Sequence, residues 1–253
     1  MKKASILALF LLLLMTGCSN KVKVTELYQQ VTIGYNMYSE EPMTKSVYTN
    51  PVQTYIENAL PATLTFTLTD GDGNKTTVIS GQSVSLKLGT YTVKAKYTPQ
   101  TVAAVVGASV FLSNEPSLSV NTTLTITASQ TSYVVGASYT CFGIVVDNDE
   151  VQSVSYQGSH GEAGNLTMNP VASNAYGIIF VNGSLDTATM DVILTAKDVS
   201  LENTTYKFYV NGNSGDVYAQ YGKYYILHPK AKTGIDEGFL SYITDDWTEV
   251  EIN

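Results

Sequence analysis

Residues Thr63–Thr69 read Thr-Leu-Thr-Phe-Thr-Leu-Thr, a strict alternation of polar and apolar side chains. In an extended chain the two leucines and the phenylalanine share one face, and the threonines share the other. A period of two with β-branched residues predicts a strand with one buried face. The next residues, Asp-Gly-Asp-Gly-Asn at 70–74, are typical of a tight turn. The segment therefore predicts a hairpin whose return strand covers Thr76–Ile79.

The same alternation recurs along most of the chain. Further strand candidates are Val84–Leu88, Tyr91–Tyr97, Leu118–Ile126, Tyr139–Val146, Gly177–Val181, Met190–Ala196, Tyr206–Val210, Tyr218–Leu227 and Thr248–Ile252. A first strand is expected around Val31–Tyr38, and only Val52–Leu60 favours a short helix. Many short strands separated by turn residues predict an all-β fold of the sandwich or barrel type.

A change in composition near Ser129–Tyr133 predicts a domain boundary. Residues 24–128 hold lysines, threonines and clean alternation, whereas residues 129–253 are richer in Tyr, Asn and Gly. Each block has the size of one β-sandwich. No Pro-rich or Gly/Ser-rich linker separates the blocks. We therefore predict an all-β protein of two closely packed β-sandwich domains.

Composition and charge exclude several classes of protein. Charged residues make up 14% of the 253 residues, which is low for a coiled coil or a long disordered acidic chain. The chain contains no Arg, and its formal net charge is −8, which argues against a nucleic-acid partner. Two cysteines are too few for a disulfide scaffold or a four-cysteine zinc site.

The N-terminus has the pattern of a bacterial lipoprotein signal. Two lysines precede the apolar run Ile6–Met15, which is too short to span a bilayer but fits a signal peptide. Gly17-Cys18 follows directly, so we predict a signal peptide at residues 1–17, lipidation of Cys18 with acyl chains such as palmitate, and a tether at 18–23. Ser19 favours attachment to the outer membrane, with the periplasmic or surface face left open. The alternative is an ordinary secretory signal with a cysteine there by chance.

The titratable residues do not predict an active site. His160 and His228 are the only histidines and lie in no zinc or catalytic pattern. Cys141 lies in an apolar stretch, which favours a buried structural thiol. We predict no catalytic residue, no metal, no cofactor and no enzymatic activity.

Two acidic segments allow a cation site as an alternative to a turn. Asp147, Asp149 and Glu150 follow an apolar strand, so we name them as a candidate cation loop, although the pattern favours a solvated turn. Asp70, Asp72 and Asn74 alternate like the start of a Ca²⁺ loop but lack its closing Glu and flanking helices, which favours a hairpin turn.

Tyrosine is unusually frequent, with 18 residues, and its densest cluster gives a candidate ligand surface. Tyr218, Tyr221, Tyr224 and Tyr225 could present flat rings and polar tips to a glycan or a protein. The alternative is that these side chains cover the faces of a sheet.

The string Leu86-Lys87-Leu88-Gly89-Thr90-Tyr91-Thr92-Val93-Lys94-Ala95 resembles the transthyretin-like sandwiches of fimbrillin-like surface lipoproteins of the Bacteroidetes. The resemblance implies two transthyretin-like or immunoglobulin-like sandwiches in an envelope lipoprotein, some relatives of which polymerise by strand exchange after proteolysis. Such pilins are often cut at an Arg near the first strand. In this chain Lys45 is the only basic residue between Lys23 and Lys75.

Together these observations predict a non-enzymatic envelope lipoprotein that serves as a fimbria-related adhesion or assembly component. Its partners would be the membrane, through the lipid on Cys18, and other envelope or fimbrial subunits. The alternative is a glycan-binding accessory lipoprotein of a polysaccharide-uptake system. The first function would use strand edges, and the second would use the tyrosine surface.

Overall fold

The computed structural model describes residues 27–37, 51–101, 105–106, 110–159, 161–183, 189–209, 215, 217–232, 241–244 and 248–251. Within these ranges the protein is all-β with a single helix, as the sequence predicts. Some predictions fall outside these residues: the signal peptide, the lipidation of Cys18, the tether at 18–23, the position of Lys45, and His160.

Seven strands form the first sheet, and one helix follows its first strand. Their bounds are β1 Tyr28–Met37, α1 Pro51–Asn58, β2 Thr65–Thr69, β3 Lys75–Ile79, β4 Ser83–Lys87, β5 Gly89–Tyr97, β8 Leu118–Ile126 and β9 Ser132–Tyr139. Between β5 and β8 lie two strands of another sheet, β6 Val105–Val106 and β7 Val110–Ser113. The predicted hairpin at 63–79 and the predicted helix are both confirmed.

The strand order in the first sheet is β3-β2-β5-β8-β9-β1-β4. Only two residue pairs, at Leu118↔Tyr139 and Ser119↔Ser138, join β8 to β9. The sheet therefore has two parts, β3-β2-β5-β8 and β9-β1-β4. Inward-facing residues of both parts form one hydrophobic core, which includes Ile33, Phe66 and Val93, all 0% exposed. The sequence of these strands alternates because only one face of the sheet is buried.

The remaining strands form one eight-stranded sheet, one five-stranded sheet and a small pair. Their bounds are β10 Cys141–Asp147, β11 Val151–Gly158, β12 Ala163–Leu166, β13 Asn169–Val171, β14 Tyr176–Gly183, β15 Met190–Ala196, β16 Leu201–Glu202, β17 Thr204–Tyr209, β18 Val217–Tyr218, β19 Tyr224–Leu227, β20 Lys230–Ala231, β21 Ser241–Thr244 and β22 Thr248–Glu251. The eight-stranded sheet runs β22-β21-β19-β10-β14-β7-β6, with β13 added beside β14. The five-stranded sheet runs β12-β11-β15-β17-β18, and β16 pairs with β20.

Both faces of the eight-stranded sheet are buried around β10. Phe142, Ile144 and Val146 face the five-stranded sheet in the largest core. Cys141 and Val145 point the other way and join a second cluster with Val52 and Ile56 of α1. Because both faces are covered, β10 is an almost continuous apolar run rather than an alternating one.

Two residues explain local details of this arrangement. Pro51 begins α1, a position where the missing N–H costs nothing and the fixed φ suits a helix. Gly143 lies where β10 passes β19, and a Cβ there would come within 2.9 Å of the Tyr224 Cβ. The close approach of the two strands therefore requires glycine at residue 143.

Sheet membership does not change at residue 129, where the sequence predicts a boundary. β9 follows that point but pairs with β1 and β8, whereas β7 precedes it and pairs with β14. The chain therefore crosses three times, after β5, after β7 and after β9, between the seven-stranded sheet, which we call the first half, and the remaining strands, which we call the second half. Composition could not reveal these crossings, because they depend on which strands pair.

A buried polar network joins the last two of these crossings. The side chain of Asn182 on β14 accepts a hydrogen bond from Ser117 N at 3.0 Å and donates one to Ser113 Oγ at 2.5 Å. The hydroxyls of Ser117 and Thr140 lie 2.8 Å apart. Asn182 and Ser113 are 0% exposed, so every bond replaces one that water would make in the unfolded chain.

Candidate functional site

The first strand, β1, lies between β4 and β9 in the first sheet. Its first half pairs antiparallel with β4, from Tyr28↔Lys87 to Thr32↔Ser83. Its second half pairs parallel with β9, from Thr32↔Ser132 to Met37↔Ala137. The strand predicted around Val31–Tyr38 is thus present, and it bridges two strands distant from it in the sequence.

Side chains of β1 fill part of the core of this half. Val31 is 1% exposed and Ile33 is 0% exposed, and both belong to the core cluster. The register places Val31 beside Val84 and Ile33 beside Tyr133. Loss of β1 would therefore leave an apolar groove between β4 and β9.

Backbone bonds hold β1 in place along its whole length. Ile33 O accepts a bond from Gly81 N at 2.9 Å, and Leu27 O accepts one from Leu88 N at 2.8 Å. The Tyr35 hydroxyl donates to Pro61 O. Among the described residues β4 pairs with no strand except β1. A chain segment that replaced β1 would therefore find unpaired strands on both sides.

The tyrosine cluster is only partly at the surface, which corrects the predicted ligand surface. Tyr224 is 0% exposed and Tyr225 is 3% exposed, because both lie on β19 inside the eight-stranded sheet. Tyr218 and Tyr221 remain exposed, at 39% and 47%. The predicted strand at 218–227 is also split, because the turn at Tyr221–Gly222 separates β18 from β19.

The buried tyrosines have structural partners. The Tyr225 hydroxyl donates to Tyr218 O at 2.9 Å and accepts from Gln220 N at 2.9 Å, which fixes the turn. Its ring packs edge-on against Phe142 and Phe208 at centroid distances of 5.9 and 5.5 Å. At the surface, the Tyr218 ring contacts Tyr209 at 5.6 Å, and the Tyr221 hydroxyl donates to Gly183 O at 2.6 Å.

The acidic segment after β10 forms a bonded turn. Asp147 Oδ1 accepts a hydrogen bond from Asp149 N at 2.8 Å, and Glu150 Oε2 lies 2.7 Å from His228 Nδ1. The part of the chain that the structure describes contains no group of three or more His, Cys, Asp and Glu side chains that could hold a metal ion. The candidate cation loop at Asp147, Asp149 and Glu150 stays a prediction.

Cys141 is the buried thiol that the apolar stretch predicts. Its side chain is 0% exposed and its Sγ lies 3.7 Å from Ser117 O. Burial raises the pKa of the thiol to about 12. A thiol that stays protonated at neutral pH is a poor nucleophile, so this cysteine has a structural role.

Sequence reasoning missed one surface, the outer face of β3-β2-β5-β8. The alternation predicts its strands, but it does not predict which polar side chains become neighbours on the sheet. The register aligns them into one sheet face of threonines and lysines. No described segment of the chain forms a helix long and apolar enough to cross a bilayer.

Comparison with known proteins gives structural neighbours only. No protein-family model matches the chain, and no curated protein matches it. A fimbrial assembly protein from Parabacteroides distasonis is 13% identical, with 90% of this chain and 100% of that chain covered and a TM-score of 0.42. The tip fimbrial protein Mfa3 from Porphyromonas gingivalis, truncated at its C-terminus, is 13% identical, with 73% and 94% covered and a TM-score of 0.42.

Both neighbours are fimbrial proteins of the Bacteroidetes.

Proposed function

We propose that this chain is a non-enzymatic, lipid-anchored protein of the outer membrane that acts as a fimbria-related adhesion or assembly component. The observation that carries the proposal is the position of β1. Strand β1 completes the core of the first half. Residues 38–50, which include Lys45, are the covalent link between β1 and the elements that follow it in the chain. A cut at Lys45 would leave β1 held by noncovalent contacts alone.

The proposal includes a division into two β-sandwich domains. The first corresponds to residues 24–128 with β9 added and β6–β7 removed, and the second contains the remaining strands. Each would consist of two sheet layers around its own core, as the clusters centred on Phe66 and Phe142 favour.

Strand exchange would follow from this arrangement. After the cut, β1 could leave, and a strand of another subunit could bind between β4 and β9. The backbone of the incoming strand would supply the affinity, and apolar side chains at the positions of Val31 and Ile33 would supply the specificity.

Limited digestion tests the proposal. The purified chain is treated with a protease that cleaves after lysine, and oligomers are resolved by native electrophoresis and mass spectrometry. We expect a cut after Lys45, loss of the fragment that carries β1, and a ladder of oligomers. A synthetic peptide of residues 27–37 should suppress the ladder, and the same peptide with Ile33→Asp should not.

The matched control is Lys45→Gln, which should keep the chain intact and monomeric under the same treatment. If the chain is cut at Lys45 but stays monomeric with β1 still bound, assembly by strand exchange is wrong.

A glycan-binding accessory role in polysaccharide uptake is the second candidate, and the exposure of Tyr218 and Tyr221 favours it. Retardation in glycan affinity gels should then be lost in a Tyr218→Ala, Tyr221→Ala variant. Tyr28→Ala, which removes an exposed ring on β1, serves as the control. Equal retardation of both variants and the parent chain would exclude the tyrosines as the binding surface.

A further inference from the structure

The outer face of β3-β2-β5-β8 is a regular array of hydroxyl and ammonium groups. The register aligns its side chains in two rows across all four strands: Thr77, Thr67, Lys94 and Asn121; and Lys75, Thr69, Thr92 and Thr123. Shorter rows pair Ile79 with Thr65, Lys96 with Ser119, and Thr90 with Thr125. All of these side chains are exposed or half-buried. We call this surface the threonine–lysine face.

The charge of the face is opposite to that of the protein. It carries Lys75, Lys94 and Lys96 and no carboxylate, and the nearest acids in the sequence lie in the turn at Asp70–Asp72. Within the described part of the chain, none of the three ammonium groups forms an ion pair. Residues 129–253, in contrast, hold 15 acidic residues and five lysines.

We propose that the threonine–lysine face binds an anionic polysaccharide. An unpaired cluster of like charges on one sheet face is unfavourable for the isolated protein and becomes favourable when an anionic partner neutralises it. Threonine hydroxyls both donate and accept hydrogen bonds, as do the hydroxyls of a sugar. The acidic second half would repel the same polymer and direct it to this face.

The composition of the face distinguishes this partner from others. A surface that inserts into a membrane interface carries large apolar or aromatic groups, and here the only one is Ile79, 39% exposed. A protein-binding surface would favour aromatic side chains at its centre, and this face has none. A repetitive array of hydroxyls suits a long, repetitive polymer better than a small compact ligand.

The threonine–lysine face is separate from the strand that would be exchanged. The face belongs to the β3-β2-β5-β8 part of the sheet, whereas β1 lies in the other part with β9 and β4. A monomer with β1 in place should therefore bind the polysaccharide. Failure of assembly and failure of binding would be observed in separate experiments.

The test uses heparin as a sulfated probe, polygalacturonate as a carboxylated probe and dextran as a neutral control. Binding of the purified full chain is measured by biolayer interferometry at low and at physiological salt. We expect binding to at least one anionic probe, weaker binding at higher salt and none to dextran. The preferred probe then identifies the anionic group.

Two triple variants locate the site. Lys75→Gln, Lys94→Gln, Lys96→Gln should weaken binding by about tenfold or more, because each exposed ion pair contributes up to about fivefold. The matched control is Lys207→Gln, Lys230→Gln, Lys232→Gln, which removes the same charge from exposed lysines of the second half. It should change binding by less than about twofold.

A third variant tests the hydroxyl groups without changing charge. Thr92→Val, Thr123→Val keeps the shape and β-propensity of both side chains and should weaken binding by about threefold. The proposal is overturned if neither anionic probe binds, if the two triple variants lose affinity equally, or if vesicles of anionic lipid bind as tightly as the polysaccharide.

Discussion

Strands β2 and β10 differ in the burial of the side chains on their outward sides. In β2 the threonines at 65, 67 and 69 are exposed or half-buried, and the residues between them are 0% exposed. In β10 the outward side is covered by α1, and Val145 is as buried as Ile144. The comparison shows that the same strand geometry gives an alternating sequence on an open sheet and an apolar run on a covered one.

The largest expected effect comes from placing a charge on the outward side of each strand. Val145→Asp buries a carboxylate between β10 and α1, so we expect a loss of about 3–5 kcal/mol in the free energy of unfolding, or no folded protein. Thr67→Asp makes the corresponding change on β2, where water reaches the side chain, and should cost less than about 1 kcal/mol. Urea denaturation of both variants measures the difference.

A milder variant keeps this prediction testable if Val145→Asp fails to fold. Val145→Thr adds one buried hydroxyl at nearly constant volume and should cost about 1–3 kcal/mol, whereas Thr67→Val should be close to neutral. Equal effects at the two positions would show that α1 does not cover β10 in solution.

The same comparison explains what the sequence could predict. Alternation from Thr63 to Tyr97 predicted the hairpin and its neighbours, because burial on one side leaves a local pattern. The apolar run at 141–146 predicted a strand but not the helix that covers it, since Val52 and Ile56 lie about 90 residues earlier. The sequence also could not predict which tyrosines of the cluster are exposed, namely Tyr218 and Tyr221, and which are buried, namely Tyr224 and Tyr225. The burial of a side chain on β19 depends on which strands lie beside β19.

The junction between the two regions provides the next test. Asn182→Leu would leave Ser117 N without its acceptor in a buried site and remove the bond to Ser113, so we expect a loss of about 2–4 kcal/mol. Asn121→Leu on the open face of β8 is the control and should cost less than about 1 kcal/mol.

The shape of the unfolding curve adds information on the same junction. If the Asn182 network couples the two halves, the parent chain should unfold in one transition and the Asn182→Leu variant in two. Far-UV circular dichroism and the fluorescence of an added probe measure these transitions. One transition with unchanged midpoint in Asn182→Leu would mean that the network contributes nothing to the coupling.

The smallest expected effect is the pH dependence caused by Cys141, which lies on the covered side of β10. Burial raises the pKa of its thiol from 9.0 to about 12, so in the folded state the proton stays on the sulfur at pH values where an unfolded thiol ionises. The unfolded state then binds fewer protons, and stability falls as pH rises from about 9 towards 12. At pH 10 the loss is roughly 1.4 kcal/mol, and it is absent below about pH 8. Chemical denaturation between pH 7 and pH 10 of the Cys18→Ser chain, compared with Cys18→Ser, Cys141→Ala, isolates this contribution. Identical pH slopes in the two chains, or rapid labelling of Cys141 by a thiol reagent in the folded protein at pH 8, would show that water reaches the side of β10 that α1 covers.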